Sequence, residues 1–528
     1  MRSLSLLAIV AVAVGAVTAA PEEQQLTDGL ADANRRFEQG DFRGAIDGFE
    51  SFLADSPDHY EILYKLARSY HELDEQAGFD QAIRRVLALN PQRAQPFVLM
   101  GRRFQWEGRF PDAEKAYRRA LELNPESIES LAGLADVCLA RGARQEGLGY
   151  LEQIVQGHPN NVPYLWMLAR SSQNRQRQAE LYRQILQASP HGDVVAKGRL
   201  ALLEARWHRQ FVQIEGLDRP QRIRLFYTPA DRKNRKQGFR FHHESKGAVE
   251  GWALRVATPN TPYVRLHVNG MGPYKFLLDT GTQGVHVSRV LAKKLGLESF
   301  GKSRFEGLGG GSILYGEIVF LDSLQLGRVK VRNVPAEAID LVGIGDGIIN
   351  PAILGEVRVQ IENSRRSLRL SRWPEEGEED PIRLEASHRL GAPVTMPFLS
   401  FHGHTIIRVE LQGLVSNALL DTGAENTVLD LSVLEAIPAL QASPVSGYGI
   451  TLQGLTGALL DAQVVQDIQI VLAGQNFRVV DLFAADLRRM TNFYGPEIHA
   501  VLGMEQLRHF DMTFDYRRNE ITFQRNLR

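Results

Sequence analysis

Asp279 and Asp421 stand in settings that the chain uses twice, and paired carboxylates are a source of acid and base chemistry. Leu277-Leu278-Asp279-Thr280-Gly281 recurs as Leu419-Leu420-Asp421-Thr422-Gly423. At average residue frequencies, Asp-Thr-Gly is expected on the order of 0.1 times in a chain of this length. An apolar run ending in Asp brings a carboxylate to the end of a buried strand. The Gly then permits a sharp turn, because positive φ costs it little. Two such carboxylates meeting across a pseudo-two-fold axis cannot both ionise comfortably, so they share a proton. The pair offers an acid and a base at one pH, as activation of a water molecule requires.

The flanking elements recur with the carboxylates. Val264–Gly270 aligns with Ile407–Gly413, and both alternate as half-buried strands closed by a turn. A second strand runs into each Asp-Thr-Gly, followed by Val285-His286-Val287 or Thr427-Val428-Leu429 and a short helical pattern. Next comes a glycine-rich hairpin candidate in each half, whose glycines permit φ > 0 and a mobile tip: Gly307, Leu308, Gly309 and Gly310 in the first, Gly454, Leu455, Thr456 and Gly457 in the second. Each half ends with an apolar pair, a short helix and a strand pair. Ile348–Leu354 answers Val501–Leu507, and Glu362–Leu370 answers Asp515–Phe523, at a constant offset of 153 residues. Duplication accounts for that constancy.

Strand, Asp-Thr-Gly, flap, apolar-apolar-Gly, helix and strand, in this order, resemble the aspartic proteases of the retropepsin and pepsin type. The resemblance covers about residues 256–528 and is closest to two retropepsin-like halves fused in one chain. It implies an all-β fold of two pseudo-symmetric halves, at 258–372 and 393–528, joined by an acidic linker at 373–392. It further implies that Asp279 and Asp421 are the catalytic dyad and that Thr280 and Thr422 hydrogen-bond across the two-fold. Gly281 and Gly423 would let the backbone turn beside the carboxylates, and the glycine-rich hairpins would close over an extended polypeptide substrate. No metal or cofactor is implied. One element departs from the pattern: where the second half has Gly503, the first has Asn350. An asparagine side chain there enters the space behind the active loop, so the first loop is expected to sit differently.

The first third has another period. Pro57, Pro91, Pro125, Pro159 and Pro190 are spaced by 34, 34, 34 and 31 residues, a period that marks a repeat array. Phe97, Met100, Gly101, Phe104, Ala113, Tyr117 and Ala120 before Pro125 resemble the large and small positions of a tetratricopeptide repeat. Five helix pairs and a closing helix near Val194–Trp207 are expected, forming an all-α solenoid over 24–207 that binds a protein or peptide partner or serves as a spacer. Cys138 falls on an inward-facing position and reads as a structural thiol. As the only cysteine it excludes an intrachain disulfide.

Two segments remain. Arg2, the apolar run Leu4–Val17 and Thr18-Ala19-Ala20 read as a secretory signal peptide over 1–20, giving an exported protein, periplasmic or extracellular, with no stable membrane span after cleavage. Residues 208–257, with the basic run Arg232–Lys236, show no period and read as a connector. His242-His243 and the His402/His404 pair lack a third ligand at suitable spacing and read as ordinary histidines rather than a metal site. A formal net charge of −1 provides no whole-protein field for nucleic acid or an anionic membrane.

The expected activity is that of an aspartic endopeptidase. The competing reading is an inactive peptide-binding scaffold in which the repeats carry the main function. The equivalent surroundings of the two aspartates argue against a glycosidase, whose carboxylates are differentiated.

Overall fold

The computed structural model describes residues 21–73, 75–189, 193–206, 211–227, 261–305, 314–341, 344–374, 392–401, 403–437, 450–453, 459–487 and 497–526. The proposed signal peptide, the basic run, His242-His243, His402 and most of the acidic linker lie outside them, as do both glycine-rich hairpin tips.

The first third is helical. Five pairs, α1 Pro21–Glu38 with α2 Phe42–Asp55, α3 Tyr60–Glu72 with α4 Gln76–Leu89, α5 Ala94–Trp106 with α6 Phe110–Leu123, α7 Ile128–Ala140 with α8 Arg144–Gly157 and α9 Val162–Ser171 with α10 Arg175–Ala188, precede α11 Val194–Ala205. Small residues permit close helix approach: a Cβ on Gly101 would lie 2.6 Å from the Tyr117 ring. Cys138 is buried among the apolar residues of α7. Asp193 caps α11 by accepting from the amides of Val195 and Ala196 at 2.9 and 3.0 Å.

The chain divides into two compact units, Met1–Arg103 with Ala116–Ser127, and Phe104–Lys115 with Ile128–Arg528. The later repeats therefore belong to the same unit as the β-structure. Within it, α11 lies against the first β half: Leu202 clusters with Ile318 and Phe320, a Cβ on Gly198 would come within 3.2 Å of Gly301 Cα, and Arg199 donates to Glu337 at 2.5 Å. The turn after α5 meets the second half, where Glu497 N donates to Trp106 O at 3.0 Å.

The two β halves have the same element order. The first runs β4 Pro262–Val268, β5 Met271–Leu278, β6 Val285–Ser288, α12 Arg289–Lys294, β7 Gly301–Phe305, β8 Leu314–Leu326, β9 Val329–Ile339, β10 Gly347–Ile349, a 3-10 turn at Pro351–Leu354, β11 Arg358–Glu362 and β12 Ser367–Ser371. The second runs β15 His404–Leu411, β16 Leu414–Leu420, β17 Val428–Asp430, α13 Leu431–Ala436, β18 Ile450–Gln453, β19 Leu459–Leu472, β20 Gln475–Ala485, β21 Ala500–Leu502, α14 Met504–Leu507, β22 Phe510–Asp515 and β23 Glu520–Arg525. In each half six strands close into a ring, β9-β6-β10-β5-β4-β8 and β20-β17-β21-β16-β15-β19, with the last strand pairing back to the first. Alternating strands fill both interiors with Val, Leu, Ile and Phe, forming one continuous core.

A six-stranded sheet joins the halves, in the order β13-β23-β22-β11-β12-β2, with β2 Gln221–Arg224 and β13 Val394–Pro397 at its edges. β11 and β22 pair antiparallel at its centre, and Gln360 faces Thr513. These residues lie 153 positions apart, the offset of the duplicated end segments, and Gln360 Nε2 donates to Thr513 Oγ1 at 2.9 Å. A residue paired with its own duplicate lies on the symmetry axis, so the pseudo-two-fold passes between them.

The stretch read as a connector differs from that reading over residues 213–227. Its strand β1 Gln213–Glu215 pairs with β9, β2 pairs with β12, and β3 Phe226–Tyr227 pairs with β4. The second half opens identically, β13 pairing with β23 and β14 Leu399–Phe401 with β15. The duplicated unit thus includes β2 and β3, well before residue 258. Strands of two to four residues are too short to show a period, and residues 228–260 separate them from β4.

Candidate active site

Each Asp-Thr-Gly follows a strand that is hydrogen-bonded along both of its edges. β10 inserts between β5 and β6, parallel to the former and antiparallel to the latter, and β21 stands likewise between β16 and β17. The ladder continues into the loops: Asp279 N donates to Ile349 O and Asp421 N to Leu502 O, both at 3.0 Å. Both carboxyls are buried, Asp279 at 1% exposure and Asp421 at 8%.

The glycines fit these loops for a steric reason rather than for the positive φ expected of them, which neither Gly281 nor Gly423 adopts. A Cβ on Gly281 would sit 2.4 to 2.6 Å from the Asp421 carboxyl, and one on Gly423 would sit 2.4 to 2.7 Å from that of Asp279. Each half's glycine lies against the other half's acid, closer than any side chain tolerates. Their amides meanwhile hold the carboxyl of their own loop: Gly281 N donates to Asp279 Oδ1 at 2.7 Å, and Gly423 N to Asp421 Oδ1 at 2.8 Å. Ala424 N adds a further bond to Asp421 Oδ1 at 3.0 Å.

The threonines interlock below. Thr280 N donates to Thr422 Oγ1 at 3.1 Å and Thr422 N to Thr280 Oγ1 at 3.0 Å. Each hydroxyl donates in turn across the axis, Thr280 Oγ1 to Leu420 O at 2.7 Å and Thr422 Oγ1 to Leu278 O at 2.8 Å. All four groups are fully buried, so these bonds satisfy donors and acceptors that water cannot reach.

The two acids are not electrostatically equal. Burial raises Asp279 well above the usual carboxylate range, and the neighbouring Asp421 charge raises it further, against the Gly281 and Gly423 amides. Burial also raises Asp421, but the hydrogen bond from Asp279 and the Gly423 and Ala424 amides oppose it. Both carboxyls are held above the ordinary range, so the pair keeps one proton between them and titrates as a unit.

Residues 264–355 match the aspartyl protease family model, and residues 30–94 and 107–171 match tetratricopeptide repeat models. The chain carries an aspartyl protease domain preceded by tetratricopeptide repeats. Solved structures similar to the chain include Pseudomonas aeruginosa pilF, 16% identical, covering 35% of this chain and 87% of that one at a TM-score of 0.31. MamA is 18% identical, covering 30% of this chain and 91% of its own at a TM-score of 0.26. No curated protein sequence matches the chain.

In the protease domain, the expected site residues fall into two groups. Asp279, Thr280, Gly281, Asp421, Thr422 and Gly423 converge at one site. Gly307 to Gly310 and Gly454 to Gly457 lie outside the described residues, although β7–β8 and β18–β19, which flank them, pair antiparallel as hairpin arms. Among the described residues, no three His, Cys, Asp or Glu side chains are placed to hold a metal ion, and no helix is long and apolar enough to cross a membrane. His404 is buried, with a ring nitrogen 3.3 Å from Gln283 Nε2 in the Asp279 loop.

Sequence reading missed Thr427 and Gln506. Thr427 Oγ1 accepts from Gly503 N at 3.0 Å and hydrogen-bonds Gln506 Oε1, bracing the Asp421 loop from behind. Comparing the halves could not reveal this brace, because the position matching Thr427 is the apolar Val285.

Proposed function

We propose that the chain is an exported aspartic endopeptidase that hydrolyses peptide bonds with a water molecule activated by Asp279 and Asp421. The observation that carries this reading is the reciprocal seating of the carboxyls, each held by its own glycine amide and pressed against the glycine of the other half. That arrangement holds two acids close together in a buried place, where one proton must be shared.

The ionised member of the pair takes a proton from the water as it attacks the scissile carbonyl, while the protonated member donates to the carbonyl oxygen. The product of this step is a tetrahedral diol, with no covalent bond to the enzyme. Collapse of the diol then returns a proton to the leaving amine. The glycine-rich hairpins would lay strand-like hydrogen bonds along an extended substrate and exclude bulk water. Activity is expected on the acid side of neutral, since the pair must keep one proton. The repeats suggest protein–protein interaction, in this reading by recruiting substrate or a partner.

The test is cleavage of an unfolded protein from acid to neutral pH by the chain without residues 1–20, beside Asp279→Asn and Asp421→Asn and with a statine-type inhibitor. Cleavage lost in both variants and blocked by the inhibitor is expected. A chain that folds and never cleaves would favour the peptide-binding scaffold.

A further inference from the structure

Asn350 marks the largest chemical difference between two otherwise matched loops, and its neighbour explains it. In the second half, Gly503 is followed by Met504, whose backbone N–H donates to Ala424 O at 2.8 Å. Ala424 is the first residue after Asp421-Thr422-Gly423, so this bond pins the active loop from behind. The matching residues of the first half are Pro351 and Thr282. Proline has no N–H to donate, so the same bond cannot form.

The Asn350 side chain supplies the missing donor. Its Nδ2 donates to Thr282 O, and also to Gly403 O of the other half at 3.1 Å. Its Oδ1 accepts from Ala352 N at 2.7 Å, capping the 3-10 turn, and its own N–H donates to Gly284 O at 2.9 Å. Asn350 is 1% exposed, so none of these groups has water as an alternative partner.

Room for this side chain comes from a matching exchange. In the second half a Cβ on Gly503 would come within 2.3 Å of Asn426 O. The first-half counterpart of Asn426 is Gly284, in the left-handed region at φ +62°, with its carbonyl turned to accept from Asn350 N. Asn350 itself is extended, at φ −84° and ψ 125°, and is therefore unstrained.

We infer that Asn350 is a positioning residue for Asp279, its side-chain amide replacing the backbone donor that Pro351 removes and tying the first active loop to the second half. This inference deepens the protease reading and rests on it for its kinetic arm only. Asn350 is buried behind the loop, so its loss should lower kcat and leave KM in place.

The experiment compares Asn350→Gly, Asn350→Asp, Pro351→Ala and the double variant Asn350→Gly/Pro351→Ala in the full chain, by peptide-cleavage kinetics and by amide hydrogen exchange over residues 279–284. Asn350→Gly and Asn350→Asp, which both lose the amide donor, should exchange about 10- to 100-fold faster and lose kcat by a similar factor. Pro351→Ala should behave as wild type. The double variant restores a backbone N–H facing Thr282 O and should recover most of the loss, leaving the missing tie to Gly403 and the missing cap on Ala352 N. A double variant no better than Asn350→Gly would overturn the inference, as would an Asn350→Asp chain that matches wild type. If the wild-type chain never cleaves, the protease reading fails, while the exchange measurements still decide the role of Asn350.

Discussion

Replacing Thr280 with valine keeps the shape of the side chain and removes its hydroxyl from the axis of the site. Two bonds disappear, Thr280 Oγ1 to Leu420 O and Thr422 N to Thr280 Oγ1, while the other two bonds of the interlock remain. The Leu420 carbonyl and the Thr422 amide are left without these partners where no water enters. Each stranded group costs about 1–3 kcal/mol, so the opening free energy of the two loops should fall by about 2–6 kcal/mol. At about 1.4 kcal/mol per factor of ten, exchange of the Thr422 and Gly423 amides should quicken by at least roughly 30-fold and by at most roughly 20,000-fold. Thr280→Ser retains the hydroxyl and should stay within about threefold of wild type. The double variant Thr280→Val/Thr422→Val removes both halves of one network and should cost less than the two single changes summed. Native-state hydrogen exchange reads wild type, both Thr280 variants, Thr422→Val and the double variant without requiring activity. Thr280→Val exchange equal to wild type would refute the reasoning, as would a serine variant as labile as the valine one.

Further expectations follow from the same geometry. Asp279 is raised above its ordinary range by burial and by Asp421, so the folded chain binds more protons than the unfolded chain as pH rises from about 4. Wild type therefore loses stability over that interval, and Asp279→Asn should unfold at the same temperature near pH 4 and at a higher one at pH 7, as thermal melts across pH would show. Gly423→Ala forces a methyl against the Asp279 carboxyl and should lower turnover by about 100-fold or more in a peptide-cleavage assay while the chain still folds. Gly198→Val drives side-chain atoms into Gly301 and Ile318 and should destabilise the second unit by about 1–3 kcal/mol, read from the urea midpoint of protease-domain unfolding.

Much of the site was legible because duplication writes it twice. The two Asp-Thr-Gly stretches, the 153-residue offset and the 34-residue proline spacing are local patterns, and each dictates local structure through strand alternation, turn chemistry or helix approach. The five helix pairs and the element order of both halves follow from them. The opening strands β2 and β3 were not legible, since a strand of two to four residues takes its stability from the neighbour with which it pairs rather than from its own pattern. The docking of α11 on the first half was equally hidden: Gly198 and Gly301 signal close approach only once both are seen to face each other.

Asn350 shows where the boundary lies. By itself the sequence determined that the two halves match, that the acids are paired and that one loop departs from its twin at Asn350. It also contained the compensating residues, Pro351 beside Asn350 and Gly284, 66 residues before it, but with nothing to link them to the carbonyl of Thr282. Only the tertiary structure decided that the departure is a substitution of one donor for another, because a hydrogen bond depends on where a carbonyl points. It likewise decided that the two carboxyls meet in a buried place, where one proton must be shared. Residue types and spacing set the chemistry on offer; the asymmetry between the halves is a property of contacts made across 142 residues of chain.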